Sequence, residues 1–153
     1  MHIYLVQHGV ALPKDVDEQR PLSEFGRNEI HKVASVLKEK EINITKMWHS
    51  GKLRTRETAE IFGVVLGITD IAEVSGMNPN DDARAFCNTL IESDVMYVGH
   101  LPHLQRVVSY LVANSEDADV LRFSNGGIVC IENSGNHSEI LWYLTPNLCR
   151  RQT

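Results

Sequence analysis

Ile3-Tyr4-Leu5-Val6-Gln7-His8-Gly9 opens the chain, and Val95-Met96-Tyr97-Val98-Gly99-His100 repeats its character near the other end. Each stretch has an apolar run of β-forming residues, then histidine beside glycine. Short apolar runs bounded by polar residues read as buried strands. In open α/β sheets, ligands bind at the carboxyl ends of parallel strands. If the two strands are neighbours, His8 and His100 meet at one site. Gly9 and Gly99 would let backbone approach a ligand closely.

Working outward, a polar loop with Pro13 and Pro21 leads to Ser23, an N-cap for a helix over about 24–40. Ile30, Val33, Ala34 and Leu37 recur at helical spacing within it. Lys46–His49 reads as a second strand and Leu53–Leu66 as a second helix, with Gly67 as its stop. A third strand fits 71–74, a helix 83–92, and a helix from Pro102 to about Val112. Strands are expected at 121–123, 127–132 and 140–144, with Ser134-Gly135-Asn136 as a hairpin turn. Strands alternating with helices imply an α/β fold: a three-layer α/β/α sandwich, its central sheet mainly parallel, with an antiparallel strand near the C-terminus. A length of 153 residues suits a single domain over 1–153. No internal repeat or linker interrupts it.

Composition narrows the function classes. A net charge of −5 argues against a nucleic-acid surface, which is usually basic. It leaves a local basic pocket open. Cys87, Cys130 and Cys149 form no CxxC pair and suit a reducing compartment. The first residues lack a basic region and a long apolar stretch, and Ile61–Ile68 is too short to span a bilayer. The expectation is a cytoplasmic protein with no membrane partner.

After the second strand comes Ser50-Gly51-Lys52-Leu53-Arg54-Thr55-Arg56-Glu57-Thr58-Ala59. A helix N-terminus attracts anions through its free N–H groups and its dipole. Cations in the first turn work against that dipole, so Arg54 is easier to understand facing an anion. Arg56, two residues on, belongs to another face. Other readings stay open at this point. His8 and His100 can be loop histidines with partners of their own. A metal site of His8, His100, His103 and an aspartate lacks HxH or HExxH spacing, and the adjacent cations would repel a metal. A plain α/β interaction domain is the third reading. His31, His49, His103 and His137 read as structural or surface residues, with His103 close enough to His100 to be watched.

Together these residues resemble the histidine phosphatase (phosphoglycerate-mutase-like) superfamily, and within it the small SixA-type phosphohistidine phosphatases. The likeness rests on four elements in family order: Gln7-His8-Gly9 after the first strand, Arg20-Pro21-Leu22-Ser23 before the first helix, Ser50-x-x-x-Arg54-x-x-x-Thr58-Ala59, and Gly99-His100-Leu101-Pro102. It implies a sandwich without the helical cap of the mutases. It implies a phosphatase, a phosphoric monoester hydrolase-like enzyme of signal transduction, acting through a phosphohistidine on His8. His8, His100 and Arg54 would be catalytic; Gln7, Gly9, Arg20, Arg54 and His100 would bind phosphate. No cofactor and no metal would be needed. The substrate implied is a phosphorylated protein of the histidine-phosphotransfer or phosphocarrier type, or a small phosphoester.

One departure stands out. The family motif carries arginine where this chain has Gln7. Glutamine offers N–H donors without charge. A hydrogen bond to a charged group contributes roughly 1.5–3 kcal/mol, so its loss is worth about one to two decades of rate. Lys14 and Lys52 are candidates to compensate. The alternative is a degenerate member that binds phosphate or phosphohistidine with little turnover. Larger relatives protonate an alcohol leaving group with a carboxylic acid. Here the corresponding loop reads Ser75-Gly76-Met77-Asn78-Pro79, which suits a labile P–N bond.

Overall fold

The first strand, β1 (His2–Gln7), is buried along its interior, and its side chains alternate between two cores. Tyr4 and Val6 join one apolar cluster and Ile3 and Leu5 another. A strand buried on both faces must be covered on both sides. Helices α1 (Glu24–Glu39) and α2 (Leu53–Leu66) cover the first face. Helices α3 (Ala83–Cys87) and α4 (His103–Ala113) cover the second. The result is the expected three-layer sandwich. The computed structural model describes residues 1–151.

The remaining strands are β2 (Lys46–His49), β3 (Ile71–Glu73), β4 (Val95–Gly99), β5 (Ile128–Asn133) and β6 (Ser138–Leu144). The sheet order is β3-β2-β4-β1-β5-β6. β3, β2, β4 and β1 are parallel, and β5 is antiparallel to both β1 and β6. Among the described residues, no helix is long and apolar enough to cross a membrane.

Two sequence expectations fail. Residues 121–123 form no strand. β5 begins opposite the end of β1, with Val6 paired to Ile128. The chain leaving α4 must therefore cross above the strand ends, out of the sheet plane. Phe123 is buried there, edge-on to Tyr143. The helix expected over 83–92 stops at Cys87. Asn88 and Thr89 are poor helix formers, and the Thr89 hydroxyl donates to the Phe86 carbonyl at 2.7 Å, competing with the helical pattern.

Helix α1 starts where expected. Ser23 accepts the Gly26 N–H at 2.9 Å as N-cap. Ile30 and Val33 are fully buried and Leu37 nearly so, each contributing on the order of 1.5–3 kcal/mol. The first turn of α1 lies directly on the loop that follows His8. A Cβ on Gly26 would sit 2.1 Å from the Val10 carbonyl oxygen, and one on Gly9 would be 3.0 Å from Ile30. Backbone cannot yield as a side chain tip can. Gly26→Ala should therefore destabilise the fold by about 1–3 kcal/mol, although alanine is the better helix former by roughly 1 kcal/mol. Urea unfolding checks this. A variant as stable as the parent would contradict the close crossing.

Candidate active site

β1 and β4 are hydrogen-bonded parallel neighbours in register from Ile3↔Val95 to Gln7↔Gly99. The next residue on each strand is therefore a histidine facing a histidine. The His8 N–H donates to the Gly99 carbonyl at 3.1 Å, extending the ladder by one step. The two rings lie edge to face, with centroids 5.3 Å apart. Two segments far apart in sequence thus meet as their matched pattern suggests.

His8 has a defined tautomer. Its Nδ1 lies 2.6 Å from the Gly9 carbonyl oxygen. A carbonyl only accepts, so Nδ1 carries the proton. The neutral ring then keeps a free lone pair on Nε2. Burial lowers the His8 pKa to about 4; the Gly9 contact opposes the shift, and the charges of Arg54 and Arg20 reinforce it. Gly9 is itself held. Its N–H donates to Thr58 Oγ1 at 3.0 Å, and that hydroxyl donates to the Arg54 carbonyl at 2.7 Å. Both main-chain groups of Gly9 are engaged, one on the His8 ring and one on α2. Gly9 therefore orients the histidine, and its missing side chain makes room for α1.

His100 is 2% exposed and has a tautomer of the opposite kind. Thr55 Oγ1 donates to the Lys52 carbonyl at 2.7 Å, which commits its only proton. At the 3.0 Å contact between Ser50 and Thr55, the donor is therefore Ser50. Ser50 must then accept from His100 across 2.7 Å, so the proton sits on His100 Nε2. His100 Nδ1 is left buried without a partner. Burial lowers the His100 pKa to about 3, helped by His8, Arg54 and Lys52. The pair thus presents two unprotonated ring nitrogens in a cationic setting at neutral pH.

The cations come from two loops. Arg54, on the first turn of α2, and Arg20, on the β1–α1 loop, line one groove with Lys14 and Lys52. Arg20 holds a left-handed backbone (φ 49°), a conformation costing roughly 1–3 kcal/mol in a non-glycine residue. Its Nε donates to the Leu12 carbonyl at 3.1 Å, which aims the rest of the guanidinium. Arg54 Nε is buried without a partner. Arg56 lies at the surface, 3.5 Å from Glu60. Gln7 ends β1 with its Oε1 buried and unpartnered. By strand alternation it faces the α3/α4 layer, where Ile3 and Leu5 also pack.

Several residues were invisible as site components in the sequence. Ser50 and Thr55 belong to a recognisable spacing, but their hydroxyl relay depends on β4 lying next to β2. Asn125 donates to the His8 carbonyl at 3.2 Å from the crossover above the sheet, and no local pattern announces it. The other histidines stand apart from this pair's hydrogen bonds. His49 accepts the Gly51 N–H at 3.1 Å, and His31 and His137 are at the surface. His103 is fully buried at the start of α4, edge-on to Phe86, with both ring nitrogens unpartnered. Among the described residues, no three His, Cys, Asp or Glu side chains group as a metal site would require. The relay is testable. Ser50→Ala removes the acceptor from a buried N–H and should lower stability by about 1–3 kcal/mol in urea unfolding. It should also release His100 from its Nε2–H form, which nitrogen-15 NMR of the imidazole reads directly. An unchanged tautomer would show that Ser50 does not set it.

Comparison with known proteins agrees with this geometry. The family model of the histidine phosphatase superfamily (branch 1) matches residues 3–78, a span containing His8, Arg20 and Arg54. The phosphohistidine phosphatase SixA of Escherichia coli (strain K12) is 30% identical over 158 residues, covering 95% of this chain and 94% of its own. In fold, the chain matches the protein histidine phosphatase SixA complexed with tungstate at a TM-score of 0.81 and 24% identity, over 97% of this chain and 99% of that one. It matches a SixA homologue from Agrobacterium tumefaciens at 0.78 and 21%, over 95% and 97%. A phosphoserine phosphatase from Entamoeba histolytica shares the fold at 0.74 and 13%, over 94% and 96%. Continuous likeness to SixA over nearly the full length, together with the family match across the first three motifs, shows that the chain belongs to the histidine phosphatase superfamily and is of the SixA type.

Proposed function

We propose that this chain removes the phosphoryl group from protein phosphohistidine by way of a phosphoenzyme on His8. The observation that carries the reading is the state of His8. It is neutral, with its Nδ1 proton tied to the Gly9 carbonyl at 2.6 Å and its Nε2 lone pair free beside two arginines. Nε2 attacks phosphorus in line. The new N–P bond forms as the substrate's P–N bond breaks, and the bonding electron pair leaves with the departing imidazole, which takes its proton from solvent water. Water then attacks the phosphoenzyme, the His8–phosphorus bond breaks, and phosphate leaves. Arg54 and Arg20 stabilise the equatorial oxygens, because positioning and electrostatics dominate phosphoryl transfer. His100 Nδ1 accepts the proton of a phosphate monoanion and returns it as a hydrogen bond to the same oxygen. The choice of phosphohistidine is supported by the relatives' names and by a leaving group that needs no dedicated carboxylic acid.

A second reading has its own observation. Gln7 buries a carbonyl oxygen without a donor, where the family has a guanidinium. A neutral amide there favours a module that binds phosphate or phosphohistidine and turns it over slowly.

Both readings meet in one experiment: phosphoramidate turnover, tungstate inhibition and acid-labile, base-stable labelling of the protein. The parent should turn over, label on His8 and be indifferent to chelator. His8→Ala should lose label and turnover. Arg54→Ala should lose tungstate binding, while Arg56→Ala changes it little. Gln7→Arg should tighten inhibition and raise turnover by up to about one to two decades. Tungstate binding without turnover or label favours the binding module. Label on a residue other than His8 contradicts the phosphoenzyme.

A further inference from the structure

The groove that holds Arg20 and Arg54 is larger than one phosphoryl group requires. It has a volume of about 540 Å³ and runs between the β1–α1 loop, which supplies Lys14, Glu18, Gln19 and Arg20, and the start of α2, which supplies Gly51, Lys52, Leu53 and Arg54. Four cations thus face a single carboxylate, Glu18, in a protein whose net charge is −5. Elsewhere Arg27, Lys32, Arg56 and Arg84 are paired with Glu57, Glu29, Glu60 and Glu116, while Lys38, Lys40, Lys46, Arg106 and Arg122 make no ion pair among the described residues, so the groove is set apart by its clustering of cations rather than by their being unpaired. Among the described residues, Lys14 and Lys52 take part in no ion pair, and both are exposed.

The helix underneath adds to the imbalance. Lys52 is the N-cap of α2 and makes no side-chain cap bond, and the first turn holds no acidic residue. Helices α3 and α4 lack an acid there as well, so the distinguishing feature of α2 is the pair of cations, which the positive end of the dipole disfavours. Here Lys52 and Arg54 crowd it, an arrangement that an external anion relieves. Arg54 and Arg20 are accounted for by the phosphoryl group, since their charges act on His8. Lys14 and Lys52 add positive charge to the two walls of the groove, and the Lys52 charge also reaches His100.

We infer that Lys14 and Lys52 form a docking clamp for carboxylates that flank the phosphohistidine on the surface of a partner protein. The inference rests on the phosphatase reading of the His8 site and deepens it: the substrate is a phosphoprotein with an acidic surround rather than a free phosphoester. Exposed charge pairs of this kind act chiefly on encounter and selection and weaken with salt.

The test uses synthetic phosphohistidine peptides, one flanked by glutamates and its counterpart flanked by glutamines. The ratio of kcat/KM for the two cancels any change in the chemical step. At low ionic strength the intact protein should prefer the acidic peptide by roughly twofold to thirtyfold, the range for two exposed charge pairs. The preference should collapse toward unity in high salt and in the Lys14→Gln, Lys52→Gln double variant. Fluorescence anisotropy of the labelled, unphosphorylated peptides reads docking without chemistry. Lysine-dependent binding of the acidic peptide without turnover would leave the clamp standing and remove the phosphatase reading. Equal kcat/KM for the two peptides with the intact protein, or an undiminished preference in the double variant, overturns the clamp.

Discussion

The parallel pairing of β1 with β4 is the constraint on which the rest of the site depends. Side chains on a strand alternate with a period of two, so a one-residue slip would turn one histidine to the opposite face. The register is held by burial on both faces. Tyr4, Val6, Met96 and Val98 point to the α1/α2 core, and Ile3, Leu5, Val95 and Tyr97 to the α3/α4 core. Shifting either strand would break both cores at once. The ladder's last bond, from His8 N–H to the Gly99 carbonyl, carries that register into the site. The crossover before β5 seals it from above, where Gly126 N–H and Asn125 Nδ2 each lie 3.2 Å from the His8 carbonyl oxygen.

Given that placement, the chemistry follows from where protons can sit. His8 gives its proton to a carbonyl on Nδ1, and His100 gives its proton to a serine on Nε2. Each ring is left with one unprotonated nitrogen, of opposite kind. Burial keeps both rings neutral, reinforced by Arg54 and Arg20 at His8 and by His8, Arg54 and Lys52 at His100. Arg54 acts on both rings, Arg20 on His8 and Lys52 on His100, so the proton placement of the pair is set by the same cations that line the adjoining groove.

Much of this was legible in the residues. Apolar runs at strand length and helical periods located five of the six strands to within a residue or so of their ends, and their order implied the layers. The paired strand-then-histidine pattern brought His8 and His100 together, and helical face spacing separated Arg54 from Arg56. What was lost had a common cause. The crossover at 121–123 has strand-like residues but no free place in the sheet, and α3 ends on a side-chain bond. The close approach of α1 to Gly9 depends on the packing of Ile30 and Gly26, which the local sequence around His8 does not encode. Ser50, Thr55 and Asn125 act through contacts between distant segments, which no single-segment pattern encodes.

The central claim is that His8 is neutral and protonated on Nδ1, leaving Nε2 free. Nitrogen-15 NMR of histidine-labelled protein measures this without substrate. His8 should show a pyrrole-like Nδ1 and a pyridine-like Nε2 from neutral pH down to about pH 5, with no protonation step until near pH 4. A ring that carries its proton on Nε2, or one that titrates near the ordinary histidine value of about 6.5, would contradict it.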